Sequence, residues 1–151
     1  MLYILCALCV AALGIALVAQ YAFDMRPCPW CVLQRGIYLL MALVFALAEL
    51  VRSPAVKRVP VAVALLLAVA GMVSALYQHL VAAQQFSCNL TLADKIITAL
   101  KLDTTLPAVF SATASCAEAA VSVLGIPFAY WSLGLFTMLA LGSAWVLKRC
   151  R

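Results

Sequence analysis

The sequence predicts an all-α membrane protein, a bundle of four transmembrane helices, and two observations lead to this fold class. Of its 151 residues, 68% are hydrophobic and only 10% are charged. Soluble domains are nearer 45–50% apolar and about 25% charged, so a single globular core cannot bury this much apolar surface. The chain also contains four apolar runs of roughly 20 residues, the length that crosses a bilayer. Such runs must be helices, because hydrocarbon leaves the backbone polar groups no other partners.

The predicted spans cover about residues 2–21, 32–51, 59–82 and 127–147. The first run lacks a positive n-region and is longer than the roughly 7–15 apolar residues of a signal peptide, so we expect it to be retained as a helix. Residues 1–151 then form a single membrane domain. Its two outer loops cover about residues 22–31 and 83–126, and a loop as long as the second one is typical of a functional segment.

The distribution of Lys and Arg predicts the orientation of the bundle. Six basic residues share one side, which should be the cytoplasm: Arg52, Lys57, Arg58, Lys148, Arg149 and Arg151. Four lie on the other side and are offset by acidic residues: Arg26, Arg35, Lys95 and Lys101 against Asp24, Asp94, Asp103 and Glu118. Both termini are therefore predicted to be cytoplasmic. The net charge of +5 reflects this topology and gives no indication of nucleic-acid binding.

The seven cysteines divide between the two sides and the first span. Cys150 falls on the reducing cytoplasmic side, and Cys6 and Cys9 fit small apolar residues of the first helix. Four lie on the outer side: Cys28, Cys31, Cys88 and Cys116. An even set in an oxidising compartment predicts disulfides, and four cysteines permit three connectivities between which the sequence does not choose.

The first outer pair lies in the stretch RPCPWCVLQR, at the start of the second span. A C-x-x-C ring is too small to restrain much chain entropy, which favours exchange chemistry over a structural staple. Pro29 suits a first helical turn, so Cys28 should cap the helix and Cys31 should lie near its positive end. Arg35 follows Cys31 by one turn, where its charge favours a thiolate or an anionic acceptor. The alternative for Arg35 is an interfacial anchor.

The second outer loop contains two helix signals. The motif SCAE, residues 115–118, has capping-box spacing and predicts a helix that begins at Cys116, with Gly125 and Pro127 as stop signals. The stretch TLADKIITALKL, residues 91–102, predicts an amphipathic helix on the membrane surface. One cysteine pair is thus fixed at the lipid edge and the other lies on a long loop. This arrangement suits electron transfer from thiols in water to a lipid-soluble acceptor, for which a quinone is the expected molecule.

At these residues the sequence resembles the DsbB family of bacterial inner-membrane disulfide oxidoreductases. The features that carry the resemblance are CPWCVLQR (residues 28–35), YQH (residues 77–79) and CAEAAVSVLGIPFAYWSLG (residues 116–134). The resemblance covers essentially the whole chain. It implies a protein of the bacterial inner membrane, with its active cysteines in the periplasm, that reoxidises a soluble DsbA-type protein and reduces a membrane quinone.

The resemblance also implies a role for each matching residue. Cys88 and Cys116 resemble the loop pair that exchanges with DsbA, and Cys28 and Cys31 resemble the pair next to the quinone. Released Cys116 would attack Cys28 and free Cys31, which would pass electrons to a ubiquinone-type ring while Arg35 stabilises negative charge. Menaquinone is the alternative quinone.

Two further positions match the family's quinone pocket, and one departs from the family pattern. His79 would lie near the ring as a hydrogen-bond donor, and Phe128 would line the pocket; an interfacial histidine and an interfacial aromatic are the alternatives. Gln34 stands where some members carry an acid, which puts a carboxylate role beside the quinone in doubt. The sequence assigns no metal site.

Two other classes of protein remain as alternatives. A vitamin K epoxide reductase-like enzyme would have its quinone-side C-x-x-C late in the bundle, whereas here the motif precedes the second span. A soft-metal carrier would use Cys28 and Cys31 as thiolate ligands, but it would need more polar groups within the membrane. The sequence leaves open the resting disulfide pattern, the oligomeric state and any role of Cys6, Cys9 and Cys150.

Overall fold

The computed structural model describes residues 1–84 and 91–150. It confirms the all-α class, with four helices long and apolar enough to cross a membrane. The helices are α1 (Leu2–Ala22), α2 (Pro29–Leu50), α3 (Pro54–Leu80), α4 (Leu92–Ala99), α5 (Leu102–Thr105), α6 (Pro107–Phe110) and α7 (Phe128–Arg149). A 3₁₀ turn, Ala82–Gln84, follows α3, and a short hairpin of β1 (Ser122–Val123) and β2 (Ile126–Pro127) precedes α7.

Two long helices begin earlier than hydropathy predicts, in each case at a proline. Helix α2 begins at Pro29 rather than near residue 32, and α3 begins at Pro54 rather than near residue 59. Proline suits the first helical position because its missing N–H has no partner there in any case. The hydropathy of the sequence locates only the apolar segment, whereas the helix itself begins at the residue where its backbone can be capped.

The long helices pack in the order α1, α2, α3, α7, with α1 also touching α7. Their shared core contains Cys9, Met41, Phe45, Ala64, Phe136 and Leu139, all fully buried. Many large apolar side chains point outward instead, among them Ile15, Leu47, Leu66 and Leu141. A soluble monomer rarely exposes so large an apolar surface, so the outside of the bundle suits lipid. Arg58 donates to the carbonyl oxygen of Cys150 at 2.8 Å, which brings the α2–α3 connection and the end of α7 to the same end of the bundle.

Helices α3 and α7 approach closely where Gly71 faces the ring of Phe136. A Cβ built on Gly71 would overlap with that ring, whereas a Cβ built on Gly14 of α1 meets nothing within 4 Å. Small residues at such crossings let membrane helices pack closely. Gly71 therefore provides the space in which the Phe136 ring packs.

We expect Gly71→Ala to destabilise the bundle by about 1–3 kcal/mol, the usual cost of overpacking a filled core. Thermal unfolding in detergent, followed by circular dichroism, measures the change. Gly14→Ala is the matched control, since it also adds one methyl group to a membrane-length helix but into open space. Equal melting temperatures for the two variants would contradict the close packing of α3 on α7.

Helix α4 confirms the predicted amphipathic segment but ends sooner, at Ala99 rather than Leu102. Thr91 and Asp94 form a capping box at its start, and Lys101 ends the helical run by adopting a left-handed conformation with φ of 51°. The apolar residues of α4 differ in their burial. Ala93 and Ile97 are buried in clusters with residues of α2, whereas the leucines at the two ends, Leu92 and Leu100, are exposed. That α4 lies on a membrane surface stays a prediction.

The predicted helix at Cys116 is wrong, although its capping interactions form. Ser115 and Glu118 make the reciprocal hydrogen bonds of a capping box, but the chain completes only one turn. It then enters the β1–β2 hairpin, whose two-residue loop, Leu124 and Gly125, has positive φ at both positions. Such a loop matches the twist of two antiparallel strands. Strand pairing thus replaces further helical turns.

Candidate active site

The first cysteine pair lies at the start of α2 as predicted. Cys28 is the N-cap residue, and its sulfur accepts a hydrogen bond from the backbone N–H of Cys31 at 3.3 Å. The two Sγ atoms are 3.0 Å apart, within hydrogen-bond distance, and Cys28 is fully buried. The helix start thus fixes both sulfurs in mutual contact.

The second loop brings Cys116 to this pair. The backbone N–H groups of Thr113 and Ala114 both donate to the carbonyl oxygen of Pro27, at 3.0 and 3.3 Å. These bonds hold the loop against the residue that precedes Cys28. Cys116 is only 6% exposed and packs in one cluster with Cys28. The described structure therefore gathers three of the four predicted catalytic cysteines. The fourth, Cys88, lies outside the described residues.

Hydrogen bonding distinguishes the thiols of Cys28 and Cys116. The pKa of Cys28 is raised, first because its thiol is hydrogen-bonded to the sulfurs of Cys116 and Cys31, and then because it is buried. The pKa of Cys116 is lowered, because its sulfur accepts from Cys28 and also from the backbone of Trp30. Among the reduced cysteines, Cys28 therefore holds its proton and Cys116 is ready to ionise.

In the fully reduced protein we expect Cys116 to react with iodoacetamide at lower pH than Cys28, because only the thiolate is nucleophilic. A thiol of raised pKa stays protonated and unreactive until the pH passes that pKa, whereas a thiol of lowered pKa is already ionised at lower pH. Alkylation at a series of pH values, followed by peptide mass spectrometry, measures both. Faster labelling of Cys28 than of Cys116 near neutral pH would contradict the assignment.

Arg35 is buried, with 5% of its surface exposed, on the same side of α2 as Cys31. Its Nη1 donates to Oε1 of Gln20 at 2.5 Å and to the carbonyl oxygen of Val109 at 3.0 Å. Its Nη2 donates to the carbonyl oxygen of Ala16 at 3.2 Å. The guanidinium of Arg35, a residue of α2, is thus hydrogen-bonded to both α1 and α6. An arginine that anchors a helix at the membrane interface would extend its side chain toward water, whereas the side chain of Arg35 is buried in the protein.

Two adjoining clefts lie beside the cysteines. The first has a volume of about 40 Å³ and is lined by Cys31, Arg35 and Phe128, together with apolar residues of α1. The second has a volume of about 250 Å³ and is lined by His79, Cys116 and Phe128. Phe128 borders both clefts. The His79 ring also packs against Tyr130, with 4.6 Å between ring centroids. The structure therefore groups Cys31 with Arg35, and Cys116 with His79.

Several polar residues of the site were not assigned a role from the sequence. Gln78 donates through Nε2 to the sulfur of Cys31 at 3.1 Å, and Gln34 donates to Oε1 of Gln78 at 2.7 Å. Gln20 holds Arg35. Uncharged polar side chains inside membrane-length helices were the available signal, because they need partners there. Which partners they find depends on how the helices are rotated against each other.

A buried thiol in contact with two further sulfurs has the geometry for disulfide exchange. Its position at the end of a membrane-length helix defines the class, a membrane thiol oxidoreductase. The chain belongs to the DsbB family, whose model, described as disulfide bond formation protein DsbB, matches residues 1–146. It is thus a multi-pass membrane thiol oxidoreductase of the type that reoxidises DsbA. This membership decides against the two other classes that the sequence left open.

Curated relatives agree with the family match over nearly the whole chain. Disulfide bond formation protein B of Aromatoleum aromaticum is 32% identical and covers 96% of this chain and 89% of its own length. The protein of the same name from Burkholderia pseudomallei is 30% identical over 100% of this chain and 90% of its own length. That of Stutzerimonas stutzeri is 32% identical over 91% and 86%. No solved structure was found to match the chain.

Proposed function

We propose that this DsbB-family oxidoreductase carries two electrons from a reduced DsbA-type protein, through two cysteine pairs, to a membrane quinone. Cys88 and Cys116 are the pair that exchanges with DsbA, and Cys28 and Cys31 are the pair next to the quinone. Ubiquinone is the proposed acceptor, with menaquinone as the alternative. The observation that carries the proposal is the position of the Cys28 sulfur, which lies 3.0 Å from the Cys31 sulfur while Cys28 packs in one cluster with Cys116.

Thiol–disulfide exchange accounts for each transfer between sulfurs. A DsbA thiolate attacks the Cys88–Cys116 disulfide at Cys88, which forms a mixed disulfide and releases Cys116 as a thiolate. The second DsbA thiol then attacks the mixed disulfide, so DsbA leaves oxidised and Cys88 is left as a thiol. Cys116 attacks the Cys28–Cys31 disulfide at Cys28, which forms a Cys28–Cys116 disulfide and frees Cys31. The protein has then gained two electrons and two protons.

The position of Cys116 supports its role as the attacking group, because it packs in one cluster with Cys28, the residue whose sulfur it attacks. A nucleophilic thiolate must be ionised near the working pH, and the backbone of Trp30 donates to the Cys116 sulfur whether Cys28 is a thiol or part of a disulfide. The contact between Cys28 and Cys31 equally suits the return step. Cys88 attacks Cys116 in the Cys28–Cys116 disulfide, which restores the Cys88–Cys116 bond and frees Cys28. Cys28 and Cys31 would then form their disulfide by giving up two electrons and two protons to the quinone.

The residues beside Cys31 fit a quinone. The first cleft offers apolar walls, the two cations Arg26 and Arg35, and a sulfur. The adjoining cleft approaches the lower end of the roughly 300–1,000 Å³ typical of ligand pockets. A bound quinone accepts two electrons and two protons. Arg35 is proposed to hold a ring oxygen, since three of its five N–H groups are engaged by described residues and its charge persists at all physiological pH values. Phe128 is proposed to pack against the ring, and His79 to donate a hydrogen bond from the second cleft.

The proposed topology follows the basic residues. Both termini and the α2–α3 connection are cytoplasmic in a bacterial inner membrane, and all four active cysteines are periplasmic. Residues 1–151 form a single membrane domain. The junction of Arg58 with Cys150 supports this orientation, because it joins two basic segments at one end of the bundle. Cys28 and Cys116 lie with the opposite ends of the helices.

The experiment that tests this function supplies the purified protein, in detergent, with reduced DsbA and either ubiquinone or menaquinone. The expected result is one quinol formed for each DsbA disulfide, followed by quinone absorbance and by thiol counting on DsbA. Folded protein that oxidises DsbA once and reduces neither quinone would contradict the quinone step. Folded protein that leaves DsbA reduced would contradict the whole relay.

A further inference from the structure

A chain of buried polar side chains crosses the bundle and ends on the sulfur of Cys31. Its members are Tyr38 and Gln34 of α2, Gln78 of α3 and Ser132 of α7, and each is at most 8% exposed. In an apolar interior each of these groups needs a hydrogen-bond partner, since an unpaired one costs free energy. The four side chains satisfy this need by forming hydrogen bonds with one another and with Cys31.

The bonds of this chain follow one direction from Ser132 onward. Gln34 Oε1 can only accept, so the 2.6 Å contact uses the one hydroxyl hydrogen of Ser132. Ser132 therefore cannot donate to Tyr38, whose single hydroxyl hydrogen is shared between Ser132 Oγ at 3.0 Å and the carbonyl oxygen of Ser132 at 3.3 Å. Gln34 then donates to Gln78 at 2.7 Å, and the Nε2 of Gln78 donates to the sulfur of Cys31 at 3.1 Å.

From Ser132 onward, every donor thus points toward Cys31. Hydrogen bonds aligned in this way polarise one another, and the bond at the end of the chain gains from those behind it. A hydrogen bond donated to the charged form of a group favours that form. The last donor is an amide, which neither takes up a proton near neutral pH nor adds a charge beside the thiolate.

We propose that Gln78 is a positioning residue that stabilises the thiolate of Cys31, and that Tyr38, Ser132 and Gln34 orient its amide. The proposal rests on the proposed function in one respect, since that function requires a Cys31 thiolate beside the quinone. Arg35 supplies charge from α2 itself, whereas Gln78 supplies a directed dipole from the neighbouring helix. Gln78 therefore contacts the Cys31 sulfur directly, while Arg35 lies in the same cleft as Cys31 without a hydrogen bond to its sulfur among the described residues.

The test measures the pH dependence of Cys31 alkylation in the reduced full-length protein by peptide mass spectrometry. Gln78→Leu should raise the apparent pKa of Cys31 by about one to two units, the size expected when one hydrogen bond to a charged group is lost. Gln78→Glu keeps the shape but puts a carboxylate beside the sulfur, so it should raise the apparent pKa as well. An unchanged alkylation profile in both variants would overturn the proposal.

Tyr38→Phe tests the chain behind Gln78 without opening the core. Its ring stacks on Phe136 with planes 1° apart and 4.2 Å between centroids, and phenylalanine keeps that contact. The expected shift is in the same direction as for Gln78→Leu but smaller. A Tyr38→Phe profile identical to wild type would remove Tyr38 and Ser132 from the proposal.

Ser74→Ala is the matched control for a purely structural effect. Ser74 is buried on α3 one turn before Gln78, and its hydroxyl donates to the carbonyl oxygen of Gly71 rather than to the chain. It should leave the Cys31 profile unchanged, and a shift of equal size in this control would overturn the assignment to Gln78. Alkylation requires no quinone. Failure of wild-type quinone reduction therefore contradicts the proposed function alone, whereas wild-type turnover with no pKa shift in the variants contradicts this inference alone.

Discussion

The Cys31→Ser variant is expected to lose quinone reduction by a factor on the order of 10³ or more, as when the nucleophile of an enzyme is removed. Cys31 is the sulfur that lies in the cleft with Arg35, and a hydroxyl there is neither ionised nor able to form a disulfide. Cys28 and Cys116 remain in contact in this variant. With serine at position 31, however, Cys28 is a thiol and offers Cys116 no disulfide to attack. The relay should therefore stop once the Cys88–Cys116 disulfide has oxidised one DsbA, and the Cys28–Cys116 linkage should not form.

Two readouts test this expectation: quinol formation with reduced DsbA, and non-reducing peptide mapping of the protein during turnover. The map should contain the Cys28–Cys116 linkage during turnover of wild type and lack it in the variant. Cys150→Ser is the matched control, since Cys150 lies at the end of α7 away from the site, and it should retain full activity. Sustained turnover by Cys31→Ser would exclude Cys31 as the electron donor to the quinone.

Arg35→Gln is expected to lower the rate of quinone reduction about 100-fold, the usual cost of losing one electrostatic donor in an active site. The side chain is buried beside Cys31, so its charge acts where water screens it little. Arg35→Lys keeps the charge, but a lysine cannot form all the hydrogen bonds that the guanidinium makes to Gln20, Ala16 and Val109. The rate of quinone reduction by Arg35→Lys should therefore fall between those of wild type and Arg35→Gln.

The measurement is the initial rate of quinol formation over a range of quinone concentrations, with single-turnover oxidation of DsbA as the internal reference. Oxidation of DsbA should persist in both Arg35 variants, because the exchange between sulfurs does not use the guanidinium. Arg58→Gln is the control arginine at the opposite end of the bundle. A wild-type quinone rate for Arg35→Gln would return Arg35 to the role of an anchor.

Local sequence signals predicted the start of the site well. The proline inside the C-x-x-C motif determined where α2 begins, so Cys28 became the cap and Cys31 entered the first turn. The i+4 spacing placed Arg35 on the side of Cys31, because neighbouring turns of one helix share a face. The capping signal at Ser115 formed its bonds but no helix, since the strand pairing that replaces it joins residues on either side of Gly125.

By itself the sequence determined that four helices form, because apolar length and backbone satisfaction in lipid are properties of each segment alone. It also determined that Cys28 caps a helix. Only the tertiary structure decided that Cys116 meets Cys28 and that Gln78 meets Cys31. Hydropathy indicates that a helix is surrounded by lipid or protein, but it does not indicate how the helix is rotated about its own axis. That rotation is set by packing between helices, as where Phe136 fits against Gly71, and the packing chooses which polar groups become partners.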